Sequence, residues 1–284
     1  MNKIAIVTGA NSGIGKEIAK KLVANNIYTI LACRNEKQGK EIEKHLGEKS
    51  KYLHCDLANF ESMEKFCHSI NSQFENINYL FNNGGIFLPP YKETHEGYEL
   101  TYGVNYLSYF YLTNSLIHLM KKVPGSRIIN TSSLASFRPR TLNIEQYVKH
   151  AKFNRMKVYE DSTLMRSMFT YELDDRLKDK KYETIAVSGH PGVVLTNIQK
   201  YSFRMKMKFI LLNRHHNVSK GAAPLIKAGL DASIKGKDFI GLDTLKQYKG
   251  NPLIIEHPNK IVFNKELRNQ LWDHSVSQTS LDLK

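Results

Sequence analysis

Short apolar runs recur along the chain, separated by longer stretches in which apolar residues return every three or four positions. The runs Ile4–Val7, Tyr28–Ala32, Tyr52–Cys55, Tyr79–Phe81, Arg127–Thr131, Thr184–Ser188 and Phe239–Gly241 read as strands. Helical periodicity lies between them near 14–25, 37–46, 60–75, 99–122, 157–178 and 219–232. A last helix is expected near 264–276, ending around Trp272. Strand and helix alternating at this spacing predict βαβ units and a doubly wound α/β fold, a parallel sheet with helices on both faces. Right-handed crossovers then fix the winding. No repeat, low-complexity linker or break in composition divides residues 1–284, so a single domain is predicted.

Two stretches interrupt the rhythm. Residues 134–156 form a long basic connection carrying Arg138, Arg140, Lys149, Lys152 and Arg155, with Lys157 directly after it. Residues 197–218 interleave Tyr201, Phe203, Met205, Met207, Phe209 and Ile210 with Lys200, Arg204, Lys206 and Lys208. Long irregular segments in compact domains are often functional lids, and 197–218 is the candidate substrate lid. The same composition suits peripheral contact with an anionic membrane or a segment packed on its own domain with its lysines reaching out to solvent.

Composition narrows the class. With 284 residues, 41% hydrophobic and 24% charged, the chain can bury a core without disulfides or metals. Met1-Asn2-Lys3 runs straight into the first strand, so no secretory leader is read, and no apolar run reaches the roughly 20 residues of a membrane span. Cys33, Cys55 and Cys67 form no CxxC pair; reduced thiols and a cytoplasmic location are expected. The net charge of +14 allows an acidic partner. The lysines are nevertheless spread along the chain and no nucleic-acid motif is present, so a solvated surface is expected and no nucleic-acid partner. His215-His216 has no Cys or Glu at ligand spacing, so both are read as surface residues and no metal site is expected.

The first strand is followed by Thr8-Gly9-Ala10-Asn11-Ser12-Gly13-Ile14-Gly15 and then a helix. Glycines 9, 13 and 15 let the backbone turn tightly beside a pyrophosphate, and the helix start offers unpaired N–H groups with Asn11, Ser12 and Ile14 alongside. The position between first strand and first helix is the informative feature, since the spacing G-x-x-x-G-x-G departs from the general fingerprint. Arg34 stands 19 positions after Gly15, at the end of the second strand. An acidic residue there would hold the ribose hydroxyl of NAD, whereas an arginine accommodates the 2′-phosphate of NADP. The expected cofactor is therefore NADP(H), on a Rossmann-type fold.

These residues resemble the short-chain dehydrogenase/reductase family, in particular its retinol-dehydrogenase-like and WW-domain-oxidoreductase-like members, over nearly the whole chain. Thr8–Gly15 is similar to TGxxxGxG. His54-Cys55-Asp56-Leu57 resembles the end of the third strand, which implies that Asp56 meets the adenine amine, with Leu57 beside it. Asn82-Asn83-Gly84-Gly85 resembles NNAG, the floor of the cofactor cleft, with Gly84 in place of its alanine. Val104-Asn105 resembles the helix-four asparagine that steadies a relay water. Arg127–Ser133 resembles the fifth strand, with Thr131 at its end and Ser133 as the catalytic serine. Pro191-Gly192-Val193-Val194-Leu195-Thr196 resembles the segment whose backbone and threonine grip the nicotinamide amide. Dimers or tetramers are usual in that family, so a homo-oligomer is implied.

Carbonyl reduction needs a proton donor and a hydroxyl that holds the developing oxyanion. The resemblance implies Tyr159 for the first role and Ser133 for the second, with Asn105 in support. It also exposes a departure: the lysine of YxxxK is Thr163 here. A tyrosine titrates near pH 10 unless a nearby cation favours its ionised form, and threonine brings hydrogen bonding to a ribose hydroxyl but no charge. Arg166, three residues past Thr163 and seven past Tyr159, shares their helix face and can reach back towards them. Two functions follow: an NADPH-dependent reductase of a ketone or aldehyde (or the reverse alcohol oxidation), and a non-catalytic NADPH-binding regulator or scaffold.

Overall fold

The computed structural model describes residues 3–145, 153–196, 207 and 209–283. The strands are β1 (Ile4–Thr8), β2 (Tyr28–Cys33), β3 (Ser50–His54), β4 (Tyr79–Asn82), β5 (Arg127–Thr131), β6 (Ile185–Gly189), β7 (Phe239–Leu242) and β8 (Pro252–Ile255). They form one sheet in the order β3-β2-β1-β4-β5-β6-β7-β8. Neighbours from β3 through β7 are parallel, and β8 runs antiparallel on the edge beside β7. The seven expected strands are all present within one or two residues of their sequence boundaries; β8 was not anticipated. The order reverses between β1 and β4, which opens a crevice at the carboxyl ends of the central strands.

Alternation along the central strands divides the core in two, because successive side chains point to opposite faces. Ile6, Ile30, Leu80, Ile128 and Ala186 face helices α3 (Phe60–Gln73), α5 (Ser108–Leu116), α6 (Arg155–Asp179) and α8 (Lys265–Thr279). Ala5, Val7, Leu31, Phe81, Ile129 and Val187 face α1 (Gly13–Ala24), α2 (Glu36–Leu46) and α7 (Val218–Leu230). Both faces of the sheet are thereby dry, as a parallel sheet requires.

Asparagines start five of these helices. Asn35, Asn59, Asn154, Asn217 and Asn264 each accept a backbone N–H of the first turn with their side chain. Asn264→Ala should therefore lower stability by about 1 kcal/mol, read as a fall in the urea midpoint with unchanged slope; a shift under a few tenths would mean that water replaces the cap.

The segment read as one helix over 99–122 is interrupted. A short α4 (Leu100–Tyr102) passes into a π-type turn at Gly103–Leu107 before α5 begins, and the chain tightens to a 3₁₀ turn at Ile117–Leu119. The last helix runs past Trp272 to Thr279 because its continuation is also buried: Ser275 shares a 2.7 Å hydrogen bond with the Tyr106 hydroxyl, and Thr279 is covered. Ser280, in the left-handed region at φ 55°, ends it. Trp272 itself is packed against Phe110 and Phe169, lies under the Arg176 guanidinium and donates to Asp282 at 2.9 Å.

Candidate active site

Three loops meet at the carboxyl ends of β1, β4 and β5. The first is the turn from β1 to α1. Gly9 adopts φ 67°, and its amide donates to the Ala32 carbonyl at 2.8 Å, tying the turn to β2. A methyl group on Gly15 would fall on the Gly9 carbonyl oxygen and lie 2.7 Å from the Asn83 amide. Ser12 occupies the cap position of α1 but makes no side-chain cap bond, unlike the five asparagine caps. The first-turn amides are thus free of a protein side-chain cap at the open end of the crevice, which fits a diphosphate. Asn11 turns aside to donate to Gln38 at 2.7 Å.

The second loop follows β4. The Thr8 hydroxyl accepts both the Asn83 and Gly84 amides at 2.8 Å, and the Asn83 side chain returns a bond to the Thr8 carbonyl at 3.0 Å. These bonds lock the β4 loop against the glycine turn. Leu57 lies over Gly84, where an alanine methyl would come within 2.5 Å of it. Asp56 accepts the Ala58 amide at 3.0 Å through one oxygen, capping its own turn; the other oxygen lies 3.6 Å from an Arg34 nitrogen. Arg34 is 70% exposed at the end of β2, held among the described residues by nothing tighter than that pair, and open to an anionic ligand.

The third loop follows β5. Ser133 caps a 3₁₀ turn at Leu134–Phe137 by accepting the Ala135 amide at 3.2 Å. The Tyr159 hydroxyl donates to the Ser133 hydroxyl at 3.3 Å, so the two sequence-assigned groups do meet. Phe87 holds the tyrosine ring edge-on, with centroids 4.6 Å apart. Asn105 sits in the π-type turn and grips the β4 loop with its side chain: the Ile86 amide donates to it at 2.8 Å, and it donates to the Ile86 carbonyl at 3.0 Å. π-type turns interrupt helices chiefly at functional sites. Thr163 is fully buried, and its hydroxyl donates at 2.9 Å to the Glu160 carbonyl of its own helix. It is directed to its own backbone and does not present a hydroxyl to the cleft, because a threonine in a helix readily bonds back one turn.

Arg166 occupies the space behind these groups. It is 4% exposed. Its Nε donates to the Asn105 backbone carbonyl and its Nη1 to the Thr131 carbonyl at 2.8 Å, while the guanidinium covers the Tyr109 ring at 4.5 Å. Burial pushes the Tyr109 phenol up to about 12, with the Arg166 charge pulling the other way and Tyr159 adding to the rise. Tyr109 donates to the Gly84 carbonyl at 3.0 Å.

Residues 191–196 close the opposite side. Thr196 lies against Gly13, where a methyl group would come within 3.2 Å of it. His190 fixes the turn: its Nδ1 accepts the Gly192 amide at 3.0 Å, so its Nε2 carries the proton and donates to Gln247 at 2.7 Å. Burial pulls the pKa of this histidine down to about 4. His216 is a correction to the sequence reading. It is buried rather than on the surface; it donates through Nε2 to the Pro191 carbonyl at 2.6 Å, and its backbone bridges Val194. No cluster of potential metal ligands occurs among the described residues.

Sequence reasoning did not find the support beneath Ser133. The Ser136 hydroxyl donates to the Ser133 carbonyl at 2.7 Å and lies 3.1 Å from the His257 Nε2. Asn259 donates to the Ser136 and Pro139 carbonyls at 3.2 and 2.8 Å. The segment after β8 therefore holds the serine loop, a contact across more than 100 positions with no local signal. Of the basic residues of the 134–156 connection, Arg138 pairs with Glu160 at 3.1 Å, and Lys157, just beyond it on α6, pairs with Asp161; residues 146–152, with Lys149 and Lys152, lie outside the described residues. So do 197–206 and 208 of the candidate lid. Its described remainder exposes Met207, Ile210, Leu211 and Leu212. No helix among the described residues is long and apolar enough to cross a membrane.

Comparison with known proteins agrees with this architecture. The family model of short chain dehydrogenases matches residues 3–206. Human retinol dehydrogenase 13 is 36% identical over 295 residues, covering 99% of this chain and 85% of its own. Human polyprenol dehydrogenase is 30% identical over 295 residues, covering 99% and 86%. The crystal structure of an uncharacterized protein from Mycobacterium Paratuberculosis superposes with a TM-score of 0.83 at 24% identity, covering 99% of this chain and 95% of that one. Salutaridine reductase from Papaver somniferum superposes with a TM-score of 0.65 at 19% identity, covering 84% and 99%; both likenesses concern the fold. The chain belongs to the short-chain dehydrogenase family, in its retinol-dehydrogenase-like branch, a family of oxidoreductases that act on carbonyls and alcohols with nicotinamide dinucleotides.

Proposed function

We propose that this protein is an NADPH-dependent oxidoreductase that interconverts an apolar alcohol with its aldehyde or ketone. The observation that carries the reading is the Tyr159–Ser133 hydroxyl pair, 3.3 Å apart at the end of β5, in the crevice lined by the glycine turn. The bound nicotinamide supplies or takes up the hydride. Tyr159 holds the proton that passes to or from the substrate oxygen, and Ser133 donates a hydrogen bond to that oxygen as charge develops there. Asn105 keeps the β4 loop, and with it the cleft floor, in register with helix α6. An apolar substrate suits Phe87 beside the tyrosine and the exposed Ile210, Leu211 and Leu212 of the candidate lid, and the alcohols named for the relatives are of that kind. The buried reduced thiols Cys33, Cys55 and Cys67 accord with a reducing compartment such as the cytoplasm.

The test is a calorimetric titration with NADPH and NADH beside a turnover assay on a panel of apolar aldehydes and ketones. Tight NADPH binding with turnover is expected; absence of nucleotide binding would overturn the reading. The uncharged Thr163 favours a second reading, an NADPH-binding regulator without hydride chemistry. Binding without turnover on the panel, unchanged in Tyr159→Phe, would establish it.

The preference for NADPH rests on Arg34. A charge-assisted bond to the 2′-phosphate contributes about 1.5–3 kcal/mol, so Arg34→Asp should weaken NADPH about 10–100-fold and improve NADH. Unchanged affinity for both nucleotides would remove Arg34 from the site.

A further inference from the structure

Arg166 carries a buried charge that no described residue neutralises. Among the described residues no carboxylate lies within ion-pair distance of it, and its two hydrogen bonds go to neutral backbone carbonyls, of Asn105 and Thr131. Its third nitrogen, Nη2, is buried and has no hydrogen-bond partner among the described residues. Burying a cation is costly unless it is paired and its donors are satisfied, and an orphan donor of this kind calls for a ligand.

The direction of that donor is defined by Gly85, the last residue of the Asn82-Asn83-Gly84-Gly85 segment at the carboxyl end of β4. A methyl group built on Gly85 would stand 3.0 Å from Nη2 and 3.1 Å from the Asn105 side-chain oxygen. The orphan nitrogen therefore lies beneath the cleft floor, on the side where Gly85 carries no side chain to meet it. The rest of Arg166 is fixed from three sides: by the end of β5 through Thr131, by the π-type turn through Asn105, and by the Tyr109 ring. A guanidinium has five donors in a rigid fork, so immobilising three sides leaves the last pair at a set position.

We propose that Arg166 is a cofactor-binding residue, its Nη2 donating to an acceptor oxygen of the nicotinamide-riboside half of the dinucleotide. The inference rests on the nucleotide-binding reading above and assigns to Arg166 the cation that Thr163 does not supply. The adenosine half, at Arg34 and the glycine turn, is served by different residues, which makes the two readings separable.

The experiment is calorimetry with two probes, NADPH and adenosine 2′,5′-bisphosphate, the second lacking the nicotinamide-riboside half. The proteins are the wild type, Arg166→Met and Arg166→Lys, each checked for its fold by circular dichroism and melting. Loss of one hydrogen bond from a charged donor should weaken NADPH about 10–100-fold in Arg166→Met, with adenosine 2′,5′-bisphosphate unchanged. Arg166→Lys, which keeps the charge, should fall between the two. NADPH affinity unchanged in Arg166→Met overturns the proposal. Equal weakening of both probes also overturns it, since that is the mark of a scaffold residue. If Arg166→Met does not fold, Arg166→Lys decides by the same criterion, and failure of both variants to fold assigns Arg166 to the core alone. A wild type that binds neither probe removes the nucleotide-binding reading itself, an outcome distinct from a wild type that binds both and an Arg166 variant that loses neither.

Discussion

Tyr159→Phe should reduce turnover about 10²–10⁴-fold while leaving NADPH affinity within about twofold. The substitution removes one hydroxyl and keeps the ring, so the edge-on contact with Phe87 survives. The hydroxyl's hydrogen bond runs to Ser133, a half-buried neighbour that water can reach, so the fold loses little. What disappears is the proton donor at the substrate oxygen. Among the described residues no other phenol is placed to stand in for it. Tyr109 is close enough to feel the Tyr159 charge, but burial raises its pKa to about 12 and its proton is committed to the Gly84 carbonyl. Ser133 remains to polarise the oxygen, which sets the residual rate above that of the uncatalysed reaction. Turnover by the variant within threefold of wild type would exclude Tyr159 as the acid. Single-turnover rates with bound NADPH are the cleanest measurement, because they separate the chemical step from product release.

The parts of the site that were legible in the sequence are the ones set by local chain geometry. Glycines 9, 13 and 15 announce a turn between a strand and a helix, and Ser133 and Tyr159 sit at fixed offsets from a recognisable strand and on a recognisable helix. Local pattern could not reveal contacts made across the fold. His216 follows another histidine in a polar stretch, and nothing nearby says that it closes over the Pro191 carbonyl. The π-type turn at 103–107 falls in an unbroken apolar periodicity; it is set by Asn105 reaching 19 positions back to Ile86. β8 escaped because an edge strand with Leu253 and Ile254 half exposed shows no alternation. Arg166 was legible as a residue on the tyrosine's helix face, but only the fold reveals that no carboxylate of the described residues reaches its charge.

Acid should sharply destabilise this protein between about pH 6.5 and pH 4, through the pair of histidines around Phe137. His190 and His257 both pack edge-on against that ring, with centroids 5.5 and 5.2 Å away, and Phe239 closes the cluster. In each the Nδ1 accepts a backbone amide two residues on, of Gly192 or Asn259. The opposite nitrogen donates, to Gln247 and to Ser136. A second proton would break the accepted bond and place charge among aromatic rings; burial accordingly pulls both pKa values from 6.5 to about 4. The unfolded chain therefore binds protons that the native state refuses between these values, and stability rises with pH across that window and falls as pH drops through it. Each histidine contributes a slope of about 1.4 kcal/mol per pH unit, or about 3 kcal/mol at pH 4, and the two together about 6 kcal/mol. That is a large share of the 5–15 kcal/mol typical of a folded domain. His257→Asn should be less stable at pH 7, having lost the bond to Ser136, yet its stability should fall less steeply from pH 6.5 to 4, by about 1.4 kcal/mol per unit. Urea unfolding of both proteins at half-unit intervals gives the two slopes directly. Curves that run parallel would mean that His257 titrates normally in the folded protein, and that the segment after β8 does not seal the serine loop from water.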